Sequence, residues 1–294
     1  MDFTFVTTRL CVALVCGFIL AGAATAQPGS EASQVPIQIG SSYSLQSKTL
    51  HELRTVNVVL PASYSKDPLR RYPVLYLLDG GLDQDLLHVA GVVQLGAMWG
   101  RSAEAIVVGL ETKDRRKELV GPTADPELVK RYPTAGSSAK FREFIRKEVK
   151  PLIERTYRGD GHDVVLGESL AGLFVTETYL VEPSLFDGYA AVDPSLWWDK
   201  ESLSNSAAAK LNGRQKGHRL MLAAAKEQLD DAAAIKRLVS LLKQRGLTYC
   251  TMARPNLTHA TIYQQLTPQA VQYLLPPLAP PPIGYGFNLN CSDR

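Results

Sequence analysis

Apolar runs set the rhythm of this chain. Pro73–Leu78, Ala105–Leu110, Val164–Leu166, Tyr189–Val192, Leu220–Ala225 and Leu247–Met252 are short and continuous, with no polar residue at every second position. Such runs predict strands covered on both faces, as in a parallel sheet. Thr55–Leu60 alternates instead and is rich in β-formers, which predicts a further strand. The stretches between the runs carry helical spacing. Leu86–Met98 follows the first run. Ser138–Tyr157 places Phe141, Phe144, Ile145, Val149, Leu152 and Ile153 on one face, with Ser137 or Ser138 as cap and Pro151 as an expected kink. Asp231–Arg245 is a third amphipathic stretch, ended by Gly246. Alternating strands and helices predict an α/β fold, a doubly wound and mostly parallel sheet in a single domain over residues 35–275. Two stretches break the rhythm. Glu111–Gly136 is long and polar, which suits a loop over the functional end of the sheet. Residues 276–294, with Pro276, Pro277, Pro280, Pro281, Pro282, Gly284 and Gly286, predict an extended tail.

The run at Val164–Leu166 leads into Gly167-Glu168-Ser169-Leu170-Ala171-Gly172, and a helical stretch, Leu173–Leu180, follows at once. Strand, sharp turn and helix with a serine at the apex is the pattern of a nucleophile elbow. The bend is cramped, so the positions two before and two after the serine must be small; Gly167 and Ala171 meet that need. The elbow lifts the Ser169 hydroxyl clear of the sheet, where a histidine can take its proton. It also aims the Leu170 N–H at a developing oxyanion. Gly-x-Ser-x-small alone also fits an ordinary turn, and the strand and helix on either side are what favour the catalytic reading.

A serine hydroxyl needs a base. The five histidines are His51, His88, His162, His218 and His259, and only the last two follow Ser169. On elbow scaffolds the chain order is nucleophile, acid, base. His218 lies in a Lys/Arg/Gly stretch, whereas His259 falls just past the last strand, and it is the expected base. The acid is expected after Leu220–Ala225, in Lys226-Glu227-Gln228-Leu229-Asp230-Asp231. Asp230 and Asp231 suit a helix cap, which leaves Glu227 to orient the imidazole. A second oxyanion donor is expected after Pro73–Leu78, where Gly80-Gly81 lets backbone approach a substrate; Gly81 N–H is the candidate. Trp197 and Trp198, in Pro194-Ser-Leu-Trp-Trp, are candidates for the wall of a substrate pocket, or for packing against the body.

Bulk composition narrows the classes. A net charge of +3 and no basic stripe with interleaved aromatics argue against a nucleic-acid partner. No Cys/His spacing suggests a metal site. Residues 1–26 carry Arg9, an apolar run from Leu10 to Ala21 and Ala24-Thr25-Ala26, which together predict a cleaved secretory signal, a flexible start over residues 27–34, and no stable membrane insertion once the signal is removed. Cys250 and Cys291 then remain, either bridged in an oxidising compartment or both free.

With these pieces in place the chain resembles the putative-esterase family of α/β-hydrolases, which includes S-formylglutathione hydrolase, feruloyl esterases, mycolyltransferases and the enterochelin esterases. The resemblance rests on Tyr72-Pro-Val-Leu-Tyr-Leu-Leu-Asp-Gly-Gly81, Gly167–Gly172, Asp193-Pro-Ser-Leu-Trp-Trp198, Glu227 and His259, and spans residues 35 to 275. The enterochelin-esterase-like branch is the nearest in pattern. The resemblance implies the α/β-hydrolase fold and hydrolysis of a small-molecule ester by serine, histidine and acid, without a cofactor. Siderophore-lactone hydrolysis, acyl transfer and a non-catalytic binding module on the same fold are the alternatives. Two positions depart from the family pattern: Ala171 stands where glycine is usual, and Asp193 stands where a small serine is common, which puts a charge near the site.

Overall fold

In the computed structural model the apolar runs form the middle of an eight-stranded sheet. Residues 34–289 and 291 are described; the expected signal at 1–26 and most of the flexible start fall outside them. Residues 34–38 carry no helix or strand. The sheet, which lies within residues 39–294, has strands β1 (Ser41–Gln46), β2 (Leu53–Val59), β3 (Tyr72–Leu78), β4 (Ile106–Leu110), β5 (Gly159–Glu168), β6 (Gly188–Val192), β7 (Arg219–Ala225) and β8 (Thr248–Arg254). Their order is β1-β2-β4-β3-β5-β6-β7-β8, with only β1 and β2 antiparallel to their partners. This is the doubly wound, mostly parallel sheet of the α/β-hydrolase fold.

Helices cover both faces: α1 (Leu86–Met98), α2 (Arg115–Glu118), α3 (Pro126–Arg131), α4 (Ser138–Phe144), α5 (Lys150–Thr156), α6 (Leu170–Val181), α7 (Trp198–Lys210), α8 (Lys226–Asp230), α9 (Ala233–Gln244) and α10 (His259–Leu274). Alternate residues of the parallel strands feed two cores. Tyr76, Val165, Tyr189 and Leu222 face one, with Phe141, Phe144 and Phe174. Leu75, Leu77, Leu166, Ala190 and Met221 face the other, with α1 and α10. Both faces are dry, so neither face of a central strand shows a polar alternation.

Pro151 does not break the helical stretch at 138–157. A π-helical turn at Ile145–Val149 joins α4 to α5 just before Pro151, so the backbone stays helical past a residue that cannot donate an N–H. Ser137 is the N-cap of α4 by position but makes no side-chain cap bond.

The polar stretch 111–136 holds α2 and α3 and is pinned from beneath. Arg54, buried in β2, donates two bonds of 2.7 Å to the Glu118 carboxylate and one of 2.6 Å to the Glu111 carbonyl. On the outer side Arg115 Nε donates to Asp79 at 3.0 Å, and its Nη2 donates to the Glu168 carbonyl at 3.3 Å. One loop is thus tied to the ends of β2, β3 and β5. At the far edge Cys250 of β8 and Cys291 are disulfide-bonded, which fixes the end of the Pro/Gly-rich tail to the sheet. No helix among the described residues is long and apolar enough to cross a membrane.

Candidate active site

Register brings the ends of three strands together. Glu168 pairs with Val192 across β5 and β6, and Val192 pairs with Ala223 across β6 and β7. The residues that leave these ends, Ser169 and Asp193, therefore emerge side by side, at the same end of the sheet as Ala225.

Ser169 has φ 60° and ψ −117°, a backbone conformation that costs a non-glycine residue about 1–3 kcal/mol. Its surroundings hold it there. Its N–H donates to Val192 O at 3.0 Å, and its carbonyl accepts from Leu173 N–H at 2.9 Å and Ser195 N–H at 3.0 Å. The bend leaves no room at Gly167, where a Cβ would lie 2.7 Å from the Ala171 carbonyl carbon and 2.8 Å from its Cβ. At Ala171 a methyl fits, so the departure from glycine there leaves the bend intact. Leu170 opens α6, so its N–H has no acceptor within the helix and is free for a ligand.

His259 opens α10, behind a Thr258–Thr261 capping box. Its Nε2 lies 3.1 Å from Ser169 Oγ, and its Nδ1 lies 2.6 Å from Asp193 Oδ2. A carboxylate only accepts, so Nδ1 carries the proton and Nε2 accepts from the serine hydroxyl. Asp193 is 5 % exposed, and its other oxygen accepts from Ala225 N–H at 2.7 Å. The hydrogen bond to Asp193 raises the His259 pKa above the ordinary histidine value, with burial working against it and the nearby Glu168 charge adding to the rise. Only the neutral imidazole can take a proton. Activity is therefore expected to fall as pH drops through a midpoint above 6.5, read from the acid limb of a kcat/KM profile.

The structure corrects the expected acid. Glu227 does not reach the imidazole; its Oε2 accepts the backbone N–H of His259 at 3.0 Å, at the N-terminus of α10. Glu227 sits on α8, one strand further from the elbow, while β6 lies directly beside β5 and delivers Asp193 to Nδ1. The signal in the sequence was an aspartate immediately after the strand next to the elbow. Gly81 is corrected as well. Its N–H donates to Gln84 Oε1 at 2.9 Å, so it is occupied, because the Gln84 side chain folds back over the turn. The two tryptophans divide. Trp197 is 58 % exposed and lines the cavity, while Trp198 is buried against Tyr132 and belongs to the core.

The cavity at Ser169 and His259 holds about 420 Å³, walled by Trp197, Ser195 and Gln228, and by the carboxylates of Glu201, Glu227 and Asp231. It is large enough for a small organic ester.

The family model described as "Putative esterase" matches residues 47–248. The chain belongs to this family. It is accordingly a serine hydrolase of the carboxylic-ester type. The chain is similar to the ferri-bacillibactin esterase BesA of Bacillus subtilis, 27 % identical over 261 residues, covering 78 % of this chain and 88 % of the relative. It is similar to the apo-salmochelin esterase of Escherichia coli, 26 % identical over 226 residues, covering 69 % and 70 %. Among solved structures, an IroE-like serine hydrolase from Shewanella oneidensis superimposes with a TM-score of 0.72 at 25 % identity, covering 80 % of each chain.

Proposed function

We propose that this chain is an exported esterase that works through an acyl-enzyme on Ser169. The observation that carries the reading is the chain of contacts from Ser169 Oγ to His259 Nε2 and from Nδ1 to the buried Asp193 carboxylate. Ser169 Oγ attacks the ester carbonyl while His259 takes its proton. The oxyanion is held at the Leu170 N–H. The alkoxide leaves with the proton from Nε2. A water, deprotonated by the same nitrogen, then splits the acyl-serine, releasing the acid and restoring the hydroxyl. Asp193 holds the proton on Nδ1 throughout and balances the imidazolium. Export is supported by the leader pattern of residues 1–26 and by the Cys250–Cys291 disulfide, a bond that persists in oxidising compartments.

The test is pre-steady-state. Mixed with a short-chain p-nitrophenyl ester, the protein is expected to release up to one p-nitrophenol per chain in a burst before slower turnover. A fluorophosphonate probe is expected to label Ser169. Folded protein that neither bursts nor labels would overturn the reading.

The relatives' names suggest siderophore esters as substrates, and a siderophore lactone is the second reading. The charge of the cavity favours a neutral or cationic ester over an anionic catecholate. Glu227 and Asp231 line it, as does Glu201, whose charge is offset by an ion pair to Arg237, and no Lys or Arg lines it. At low salt, p-nitrophenyl acetate is expected to exceed p-nitrophenyl hemisuccinate in kcat/KM by at least about tenfold, and the ratio should shrink as salt screens the acids. A ratio near one at low salt would remove the electrostatic argument and leave the siderophore reading ahead.

A further inference from the structure

The residue before the nucleophile has no part in the scheme above, yet its carboxyl lies beside the reacting nitrogen. Glu168 ends β5, its side chain is 19 % exposed, and its Oε1 lies 3.8 Å from His259 Nε2, the atom that faces Ser169 Oγ at 3.1 Å. We propose that Glu168 is a positioning residue that stabilises the charged imidazole of His259 from the Nε2 side, as Asp193 does from the Nδ1 side. The inference rests on the Ser169–His259 reading.

The distance is what makes the role workable. At 3.8 Å the carboxyl is beyond hydrogen-bond range, so it leaves the Nε2 proton free for the departing alkoxide. It is still close enough for its charge to act strongly on the ring, because the pair is partly shielded from water. Had it closed to bonding distance, it would compete with Ser169 for the same nitrogen. Its own surroundings are mixed in charge. Arg115 of α2 and His259 of α10 favour its anion, while Asp85 before α1 and Asp193 after β6 oppose it. Tyr263 of α10 lies within reach of the Glu168 charge, and also of Asp85 and Asp79. Burial is the largest influence and pushes the Glu168 carboxyl up to about 7, so its charge changes in the range where an esterase works.

The sign follows from which states hold the imidazolium. Above the His259 midpoint the free enzyme has a neutral imidazole and the transition state a charged one, so an ionised Glu168 lowers the barrier. On the acid limb both states hold the imidazolium, and the advantage cancels. Glu168→Gln should therefore lower the alkaline plateau of kcat/KM by about tenfold and move the acid-limb midpoint down by about one pH unit, two readings of the same lost interaction. The variant and wild-type profiles should merge at low pH. Glu168→Asp, which keeps the charge at a greater distance, should fall between them.

The experiment is the kcat/KM profile of wild type, Glu168→Gln and Glu168→Asp on a p-nitrophenyl ester, with fluorophosphonate labelling at alkaline pH and thermal midpoints alongside. Merging at low pH with separation at high pH supports the proposal. A drop of equal size at every pH, or coincident profiles, overturns it, since a merely structural role would not depend on pH. If wild type is not labelled at Ser169, the underlying reading fails. If all three label and their profiles coincide, only the role of Glu168 fails.

Discussion

Asp193→Asn is expected to lower kcat/KM by about 10⁴-fold, and Glu227→Gln by no more than about fivefold. The asymmetry follows from what each carboxylate touches. Asp193 Oδ1 accepts from Ala225 N–H, which fixes the orientation of any amide placed there with its oxygen toward Ala225. The asparagine NH₂ would then face His259 Nδ1, where Asp193 Oδ2 now sits at 2.6 Å. A donor in that place forces the other tautomer, with the proton on Nε2 and none of its lone pair left for the serine. The Glu227 carboxylate hydrogen-bonds the backbone N–H of His259, and its charge is the least of the influences that raise the imidazole pKa. A glutamine can still accept that bond, and what is lost is one negative charge at a helix N-terminus, worth about 0.3–1 kcal/mol. Steady-state kinetics of both variants, with thermal midpoints to exclude unfolding, decide the matter. A large loss in Glu227→Gln beside a small one in Asp193→Asn would restore Glu227 as the partner of the imidazole.

The Glu227 expectation also marks where reading along the chain stops being sufficient. Strands buried on both faces declare themselves by continuous apolar runs, and the parallel part of the sheet was legible for that reason. β1 was not: its sequence, Ser-Ser-Tyr-Ser-Leu-Gln, offers only Tyr43 and Leu45 to the core, and its other positions face solvent at the sheet edge. The first half of β5, Gly-Asp-Gly-His-Asp, is polar and becomes strand only through pairing with β3. The elbow was legible because its steric need is local, and Gly167 packs against Ala171 only four residues on. The acid was not, because which strand neighbours β5 is a matter of topology. Spacing along the sequence favoured the loop after β7, while the sheet order put β6 beside the elbow. Gly81 failed for another reason. Whether a backbone N–H is free depends on where one nearby side chain, Gln84, folds.

Ser169→Ala and His259→Ala are each expected to lower kcat by about 10⁵–10⁶-fold, and the double variant by no more than either alone. Ser169 and His259 act on a single proton. Without the imidazole the hydroxyl keeps that proton and remains a poor nucleophile, and without the hydroxyl the imidazole has nothing to activate. The second substitution therefore removes a function already lost. Independent contributions would multiply to a loss of about 10¹⁰ or more, which would exceed what these groups supply in any acyl transfer of this kind. A residue of rate above that of water should survive in all three variants, because the Leu170 N–H and the cavity around Trp197 still bind the ester and its oxyanion. Ser195 provides the control. Its Oγ lies 3.3 Å from Ser169 Oγ, but it is buried and its N–H is committed to the Ser169 carbonyl. Ser169→Ala should abolish fluorophosphonate labelling, and Ser195→Ala should retain it. The opposite pattern would move the nucleophile to Ser195, and a double variant slower than both singles by a further large factor would mean that the serine and the histidine do not share one proton transfer.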